Sequence, residues 1–358
     1  MPSTSRQRSK KTAGAIHESP LRIAYLPVRE ALDEVEKRLL GPEALESLAA
    51  FLGLGSGAGS FEEAERYIIA AGGKRLRAAL TLLAARLCGA SEDSSIPLAV
   101  GIELFHTASL VIDDMIVDAK KRRSMPTVHR KWDESGALAA ALALQLRALP
   151  SFLESFRDAA DPASLMALIG QTMTRVLWGA ILQHRQRMNF DICEEEYIEI
   201  GDNKTAALFE ACSEGGAVLA GCNLRKRAAM RRYGHHLGRA FQLTDDLLDF
   251  IGSPDALGKS PGSDLEEGRI TMPMIHFFRK ASPKRRAMMG SLLPPRRKAP
   301  LPHGEIVSLL YEEGSLDHCS KMAKAESVKA RKALSIFPAG AERESMMIIA
   351  SLASGREG

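Results

Sequence analysis

Residues 105–130 read FHTASLVIDDMIVDAKKRRSMPTVHR, and the rest of the chain is arranged around the order of residue types within them. Apolar side chains run up to an adjacent carboxylate pair, Asp113 and Asp114. A third carboxylate follows at Asp118, and Lys120, Lys121, Arg122 and Arg123 then make the run cationic. Acid and base fall within about one helical turn of each other. Working outward, residues 241–273 read FQLTDDLLDFIGSPDALGKSPGSDLEEGRITMP, in which Asp245 and Asp249 stand four apart and share one helix face. Phe241, Leu243, Leu247, Leu248 and Phe250 surround this second cluster with core-type residues, unlike a solvated helix face.

Carboxylates gathered on apolar helices hold hard divalent cations through oxygen ligands, and Mg2+ is usually bound in this way when a phosphate shares the ion. Two such helices facing one another predict a cage for metal and diphosphate. Upstream, Gly72 and Gly73 precede Lys74, Arg75 and Arg77 in GGKRLR, so a phosphate-bearing ligand can meet backbone amides and cations together.

The 358 residues, 45% of them hydrophobic, supply a sizeable core. A net charge of +4 is small for this length and gives no case for nucleic acid as a partner. The basic runs at 225–227, 284–286 and 296–298 read as solvated surface. Cys88, Cys193, Cys212, Cys222 and Cys319 are scattered and lack CxxC spacing, which argues against a disulfide framework and a zinc site and for a reducing compartment. No apolar run reads as a transmembrane segment and no signal core follows the basic start, so a soluble, cytoplasmic protein is expected.

Residues 1–20 are polar and basic and read as a disordered tail, leaving 21–358 as one domain. ALDEVEKRLLG reads as a helix stopped at Gly41 and Pro42. FLGLGSGAGS, with Gly53, Gly55, Gly57 and Gly59, has no strand before it and reads as an interhelical loop, not a nucleotide site. Ala, Leu, Met, Glu, Lys and Arg dominate the remainder without β-type alternation, which predicts an all-α bundle of ten or more helices. Its loops are marked at 91–95, Pro150, Asp161 and Pro162, 253–262, Pro283 and 294–302.

GGKRLR, the first Asp-rich stretch, KTAALFEA from Lys204 to Ala211, the second Asp-rich stretch, GK and DLEEGRITMP follow one another in this order. From about Gly72 to the C-terminus the chain therefore resembles the trans-isoprenyl diphosphate synthases of the polyprenyl synthetase family. The resemblance implies a single large helical bundle of the isoprenoid synthase type with a central cavity. It also implies head-to-tail condensation of an allylic diphosphate with isopentenyl diphosphate, several Mg2+ ions bridging the diphosphate, and a homodimer. By the same resemblance Lys74, Arg77, His106 and Arg123 hold isopentenyl diphosphate, and Arg122 and Lys259 serve the allylic diphosphate. Lys204, Thr205 and Gln242 face the reacting carbon and the leaving group, and Asp245 with Asp249 binds metal.

The chain departs from the family pattern in several places. The family places carboxylates at the first, second and fifth positions of DDxxD, whereas Val117 stands fifth here and the carboxylate comes one later, at Asp118. Asp113 and Asp118 are about 140° apart around an ideal helix, and Asp114 and Asp118 about 40°. Either Asp114 and Asp118 become the ligand pair, or a π-bulge realigns Asp113 with Asp118, or metal binding is weakened. Ser124 replaces the Gly that usually follows the paired arginines, Ala141 and Leu142 replace a Gly-Asp pair, Ala180 follows Gly179 in place of Gln, and Arg269 replaces a Lys.

In the family, product length is set below the first aspartate. Ala108 and Ser109 are small, so the cavity is expected to be open there, with Phe105 as its floor and a product of about C20 or longer. Two other readings compete. A class I terpene cyclase shares the acidic helices but needs no second diphosphate site, and a catalytically impaired homologue acting as a regulatory subunit would explain the displaced Asp118.

Overall fold

The computed structural model describes residues 19–41, 59–252, 261–293 and 301–355. Its α-helices of more than one turn are α1 (Pro20–Tyr25), α2 (Arg29–Leu40), α3 (Gly59–Ala70), α4 (Leu76–Cys88), α5 (Glu92–Val117), α6 (Glu134–Asp158), α7 (Pro162–Arg185) and α8 (Glu194–Gly201). They continue with α9 (Ala207–Leu219), α10 (Leu224–Ile251), α11 (Met272–Lys280), α12 (Pro283–Leu292), α13 (His303–Glu312), α14 (Ser315–Ala333) and α15 (Ala341–Leu352). The side chains of Ser91, Asp133, Asp161, Asn223 and Ser282 cap helix starts by accepting from backbone N–H groups one turn on. The expected stop at Gly41 is where α2 ends, and Asp161 with Pro162 opens α7.

Leu80 and Leu83 of α4, Leu98 and Ile102 of α5, Phe209 of α9 and Tyr233 of α10 are fully buried in the main core. A second core joins α10 to the C-terminal helices through Phe250, Met274, Phe277, Leu310 and Cys319. Between them the bundle leaves a cavity bounded by α5 and α10.

The loop read at 91–95 is helix from Glu92 on, with Ser91 as its N-cap, and four further expectations change. Pro150 does not mark a loop; it lies inside α6, where packing and strong helix formers on both sides outweigh the lost hydrogen bond. Gly59 belongs to helix α3, while 1–18, 51–58 and 253–260 lie outside the described residues, so the tail and most of the glycine-rich stretch do too. Three helices, Glu92–Val117, Glu134–Asp158 and Pro162–Arg185, are long and apolar enough by length and composition to cross a membrane, contrary to the sequence reading. In α5 that apolarity is used internally, since 78% of its most apolar window is buried in the protein, against 39% in α6 and 28% in α7.

The fourth change concerns the acidic helix. α5 stays α-helical to Val117 and ends with Asp118 in the left-handed region at φ 57°, so no π-bulge realigns the carboxylates. The cations that follow sit on a two-stranded hairpin in which Lys121 and Arg122 pair with Pro126 and Met125. Its two turn residues, Arg123 at φ 51° and Ser124 at φ 64°, both have positive φ, as a two-residue hairpin turn of right-handed twist requires. That is the physical content of the usual Gly at position 124.

A π-turn does occur, at Asp202–Ala206, inserted between α8 and α9. It is wedged between two helices at glycines. A Cβ on Gly179 of α7 would stand 2.4 Å from the Lys204 nitrogen, and one on Gly238 of α10 would stand 2.5 Å from the Ala206 Cα.

The left-handed turn costs serine about 1–2 kcal/mol, while glycine loses about 0.5–1 kcal/mol in chain entropy. Ser124→Gly should therefore raise stability by up to about 1 kcal/mol, read as a higher urea midpoint. Gly179→Ala forces a backbone contact apart and should lower stability by about 1–3 kcal/mol in the same assay.

Candidate active site

The cavity, of about 610 Å3, is lined by the 73–77 loop, one face of α5, the hairpin, Gln183 of α7, the π-turn, the face of α10 bearing Phe241, Gln242, Asp245 and Asp246, and residues 264–271. On α5 that face is Glu103, His106, Thr107, Leu110, Asp113, Asp114 and Val117, spaced three and four apart as one stripe of a helix.

One end of the cavity is cationic. The Arg77 Nη1 stands 2.9 Å from His106 Nε2, and because guanidinium can only donate, Nε2 accepts and the ring proton resides on Nδ1. Burial, reinforced by Arg77 and then by Arg122 and Arg123, holds the His106 pKa well below its usual value, so the imidazole is neutral. Arg75, at φ 45°, turns away to Glu36 at 2.7 Å and lies 4.0 Å from Glu103. Glu103 also accepts the Ala78 N–H at 3.0 Å. Tyr25 donates to the Lys74 carbonyl at 2.8 Å, fixing the loop backbone. Gly73 leaves room for the Arg123 guanidinium, which a Cβ there would approach to 2.9 Å.

The other end is a ring of opposite charges. Lys204 donates to Asp113 and to Gln183, both at 2.5 Å, and the Arg269 Nη1 stands 3.8 Å from Asp113. Burial works to raise the Asp113 pKa, but Lys204 and Arg269 outweigh it and hold the carboxyl below its usual range. Arg122 grips Asp114 with Nε and Nη2 at 2.7–3.0 Å. Arg269 is held in turn by Asp264 at 2.8 Å and by Glu267. Across the cavity Thr205 donates to Gln242 at 2.6 Å, and Gln242 donates to Asp246 at 2.8 Å. Asp246, which also accepts from Tyr197, is pushed up to about 7 by burial and by the charge of Asp264.

Of the residues singled out in the sequence, Lys74, Arg75, Arg77, His106, Asp113, Asp114, Arg122, Arg123, Lys204, Thr205, Gln242 and Asp245 line this one cavity. The rest are placed differently. Asp118 leaves the helix axis at its left-handed cap, is 70% exposed, and accepts from Arg130 at 2.5 Å. The pair Asp114 and Asp118 is thus split between cavity and surface. Asp249 is fully buried behind the wall and accepts from Ser263 Oγ at 2.9 Å and the Asp264 N–H at 3.1 Å, so its carboxylate holds the 263–264 turn in place. Lys259 lies outside the described residues. Phe105 and Ala108 are buried in the main core, and the Ser109 hydroxyl donates to the His106 carbonyl at 2.7 Å; none of the three lines the cavity. Eight residues separate Phe105 from Asp113, so the two point about 80° apart around the helix, and Leu110, one turn before Asp113, takes the apolar position instead. Tyr197 and Glu267 were missed, because only the fold brings α8 and the 264–271 segment to the wall.

Among the cavity's carboxylates, Asp113 and Asp114 come from α5 and Asp245 from α10, on separate helices. Among the described residues no three His, Cys, Asp or Glu side chains converge on one point. Such a donor set suits Mg2+, which is characteristically held by one or two carboxylates with substrate phosphate oxygens and water completing the shell.

Residues 59–304 match the polyprenyl synthetase family model. An all-trans-nonaprenyl-diphosphate synthase (geranyl-diphosphate specific) of Rhodobacter capsulatus is 32% identical over 292 residues, 81% of this chain and 87% of that protein. A geranylgeranyl diphosphate synthase of Methanosarcina mazei is 33% identical over 82% of this chain and 89% of its own. The crystal structure of a polyprenyl synthase from Caulobacter crescentus, complexed with calcium and isoprenyl diphosphate, superposes with a TM-score of 0.83 at 29% identity, covering 94% of this chain and 98% of that one. With its all-α bundle and a cavity joining the motifs of residues 73–77, 113–123, 204–205 and 242–245, the chain belongs to the polyprenyl synthetase family and is a trans-isoprenyl diphosphate synthase, a chain-elongating prenyltransferase.

Proposed function

We propose that the protein condenses an allylic diphosphate with isopentenyl diphosphate, with Mg2+, to a product of about C20 or longer. The observation that carries this reading is the presence of two distinct cation sets in one cavity. Arg77, Lys74 and Arg123 gather with the neutral His106 at one end, and Arg122, Lys204 and Arg269 surround Asp113 and Asp114 at the other. A terpene cyclase, which binds one diphosphate, has no use for both.

In this reading isopentenyl diphosphate takes the Arg77 end and the allylic diphosphate the Lys204 end. Of the carboxylates that face the cavity, Asp113 and Asp245 would hold Mg2+. When bound, the ion would supply positive charge against the negative charge developing on the leaving diphosphate. The Lys204 ammonium and the Arg122 and Arg269 guanidiniums add preorganised positive charge as the allylic C–O bond breaks. The hydroxyl of Thr205 and the amide of Gln242 offer dipoles to the allylic cation. The double bond of isopentenyl diphosphate then attacks that cation, a C–C bond forms, and a proton is lost to restore the double bond. Leu110, Ile192, Ile200 and Phe241 give the cavity the apolar wall that keeps water from the cation.

Purified protein with Mg2+ and labelled isopentenyl diphosphate should yield a defined prenyl product from at least one of dimethylallyl, geranyl or farnesyl diphosphate. Leu110→Ala should lengthen that product, while Phe105→Ala, in the core, should leave its length unchanged. Products shorter than C20 would overturn the length assignment. The surface position of Asp118 favours a second reading, that of a non-catalytic partner subunit. Absence of product with every primer, persisting in Val117→Asp, would establish it.

Self-association as a homodimer is supported by the outer face of α6. Leu138, Leu142, Leu146, Leu149 and Leu153 are exposed there at helical spacing, beside Met166, Leu177 and Trp178 of α7. Sedimentation should give twice the monomer mass for the wild type and the monomer mass for Leu142→Asp combined with Leu149→Asp.

A further inference from the structure

Lys204 and Thr205 reach the cavity from a π-turn, a rare backbone form that needs support from its surroundings. The outward side of this turn, remote from the cavity, carries a charged network that the reaction itself does not use. The Arg239 Nε and Nη2 donate to both oxygens of Asp202, each at 2.6 Å, in the planar fork geometry that arginine alone supplies. The Arg175 Nη2 donates to the Asp202 carbonyl at 3.0 Å, and its Nε to the Asn203 side chain at 3.3 Å. Arg175 is fixed in turn by Glu210, at 2.7 and 3.3 Å.

The arrangement has a regular logic. Helix α7 carries Arg175, Gly179 and Gln183 at successive turns, and α10 carries Arg239 next to Gly238, with Gln242 one turn on. On each helix the glycine admits the π-turn backbone, the arginine binds the turn's outer side, and the glutamine meets its inner side at Lys204 or Thr205.

We propose that Arg175, Asp202 and Arg239 are positioning residues, a clamp that holds the π-turn between α7 and α10 so that Lys204 and Thr205 are presented to the reacting diphosphate. The clamp touches neither substrate. It rests on the assignment of Lys204 to the leaving diphosphate, and acts through it.

Two measurements on the full chain test this. In steady-state elongation, Arg239→Met should lower kcat by about 10- to 100-fold with KM for both substrates nearly unchanged, as expected when a catalytic group is displaced by an ångström or so. In a Lys204→Ala background the same substitution should add less than about a twofold loss, because residues acting through one group are non-additive. Losses that multiply independently would overturn the clamp. Independently of activity, amide exchange at residues 202–206 should accelerate in Arg239→Met while α4 is unchanged; unaltered exchange there would also overturn it. If the wild type elongates no primer, the activity assignment fails, and exchange alone decides the clamp.

Discussion

The structure depends on the repulsion among cations drawn into one cavity and on the carboxylates that contain it. Arg75, Arg77, Arg122, Arg123, Lys204 and Arg269 all line this space. A buried unpaired charge costs several kcal/mol, and protein anions hold most of these cations. Arg75 is held by Glu36 and Glu103, Arg122 by Asp114, Lys204 by Asp113, and Arg269 by Asp264 and Glu267. At the other end of the cavity Arg77 and Arg123 gather beside His106. Burial and the neighbouring arginines keep His106 neutral, so it adds no further repulsion.

The departures from the family pattern are absorbed locally. The extra residue before Asp118 is not taken up inside the helix; it falls at the cap, where Asp tolerates the left-handed conformation better than most residues. The cost is a carboxylate moved from cavity to surface. The face it leaves is occupied by Val117, and Asp113 is balanced by Lys204 and Arg269. The hairpin keeps its turn geometry although Ser124 replaces glycine, because Tyr67 donates to the Pro126 carbonyl at 2.8 Å and Thr127 to the Ala119 carbonyl at 2.7 Å.

The geometry of the cavity therefore rests on two irregularities placed on a regular scaffold. One is the left-handed hairpin turn that aims Arg122 and Arg123 in different directions. The other is the π-turn that brings Lys204 and Thr205 inward, which only glycine at 179 and 238 allows.

The all-α class, the helix stop at Gly41 and, through the resemblance its ordered motifs carry, the membership of Lys74, Arg77, His106, Asp113, Arg122, Arg123, Lys204, Thr205, Gln242 and Asp245 in one site were legible in the sequence. These follow from local periodicity, cap chemistry and a set of motifs whose order is specific. Tertiary structure decided what depends on direction. Spacing cannot show that a helix ends at Val117, and so cannot separate Asp118 from Asp114. Nor can it show that Asp249 turns to the 263–264 backbone or that Phe105 faces the core and Leu110 the cavity, because each side chain's environment is set by the element packed against it. Arg175, Asp202 and Arg239 look in sequence like ordinary surface charges; the close approach of three helical segments makes them neighbours.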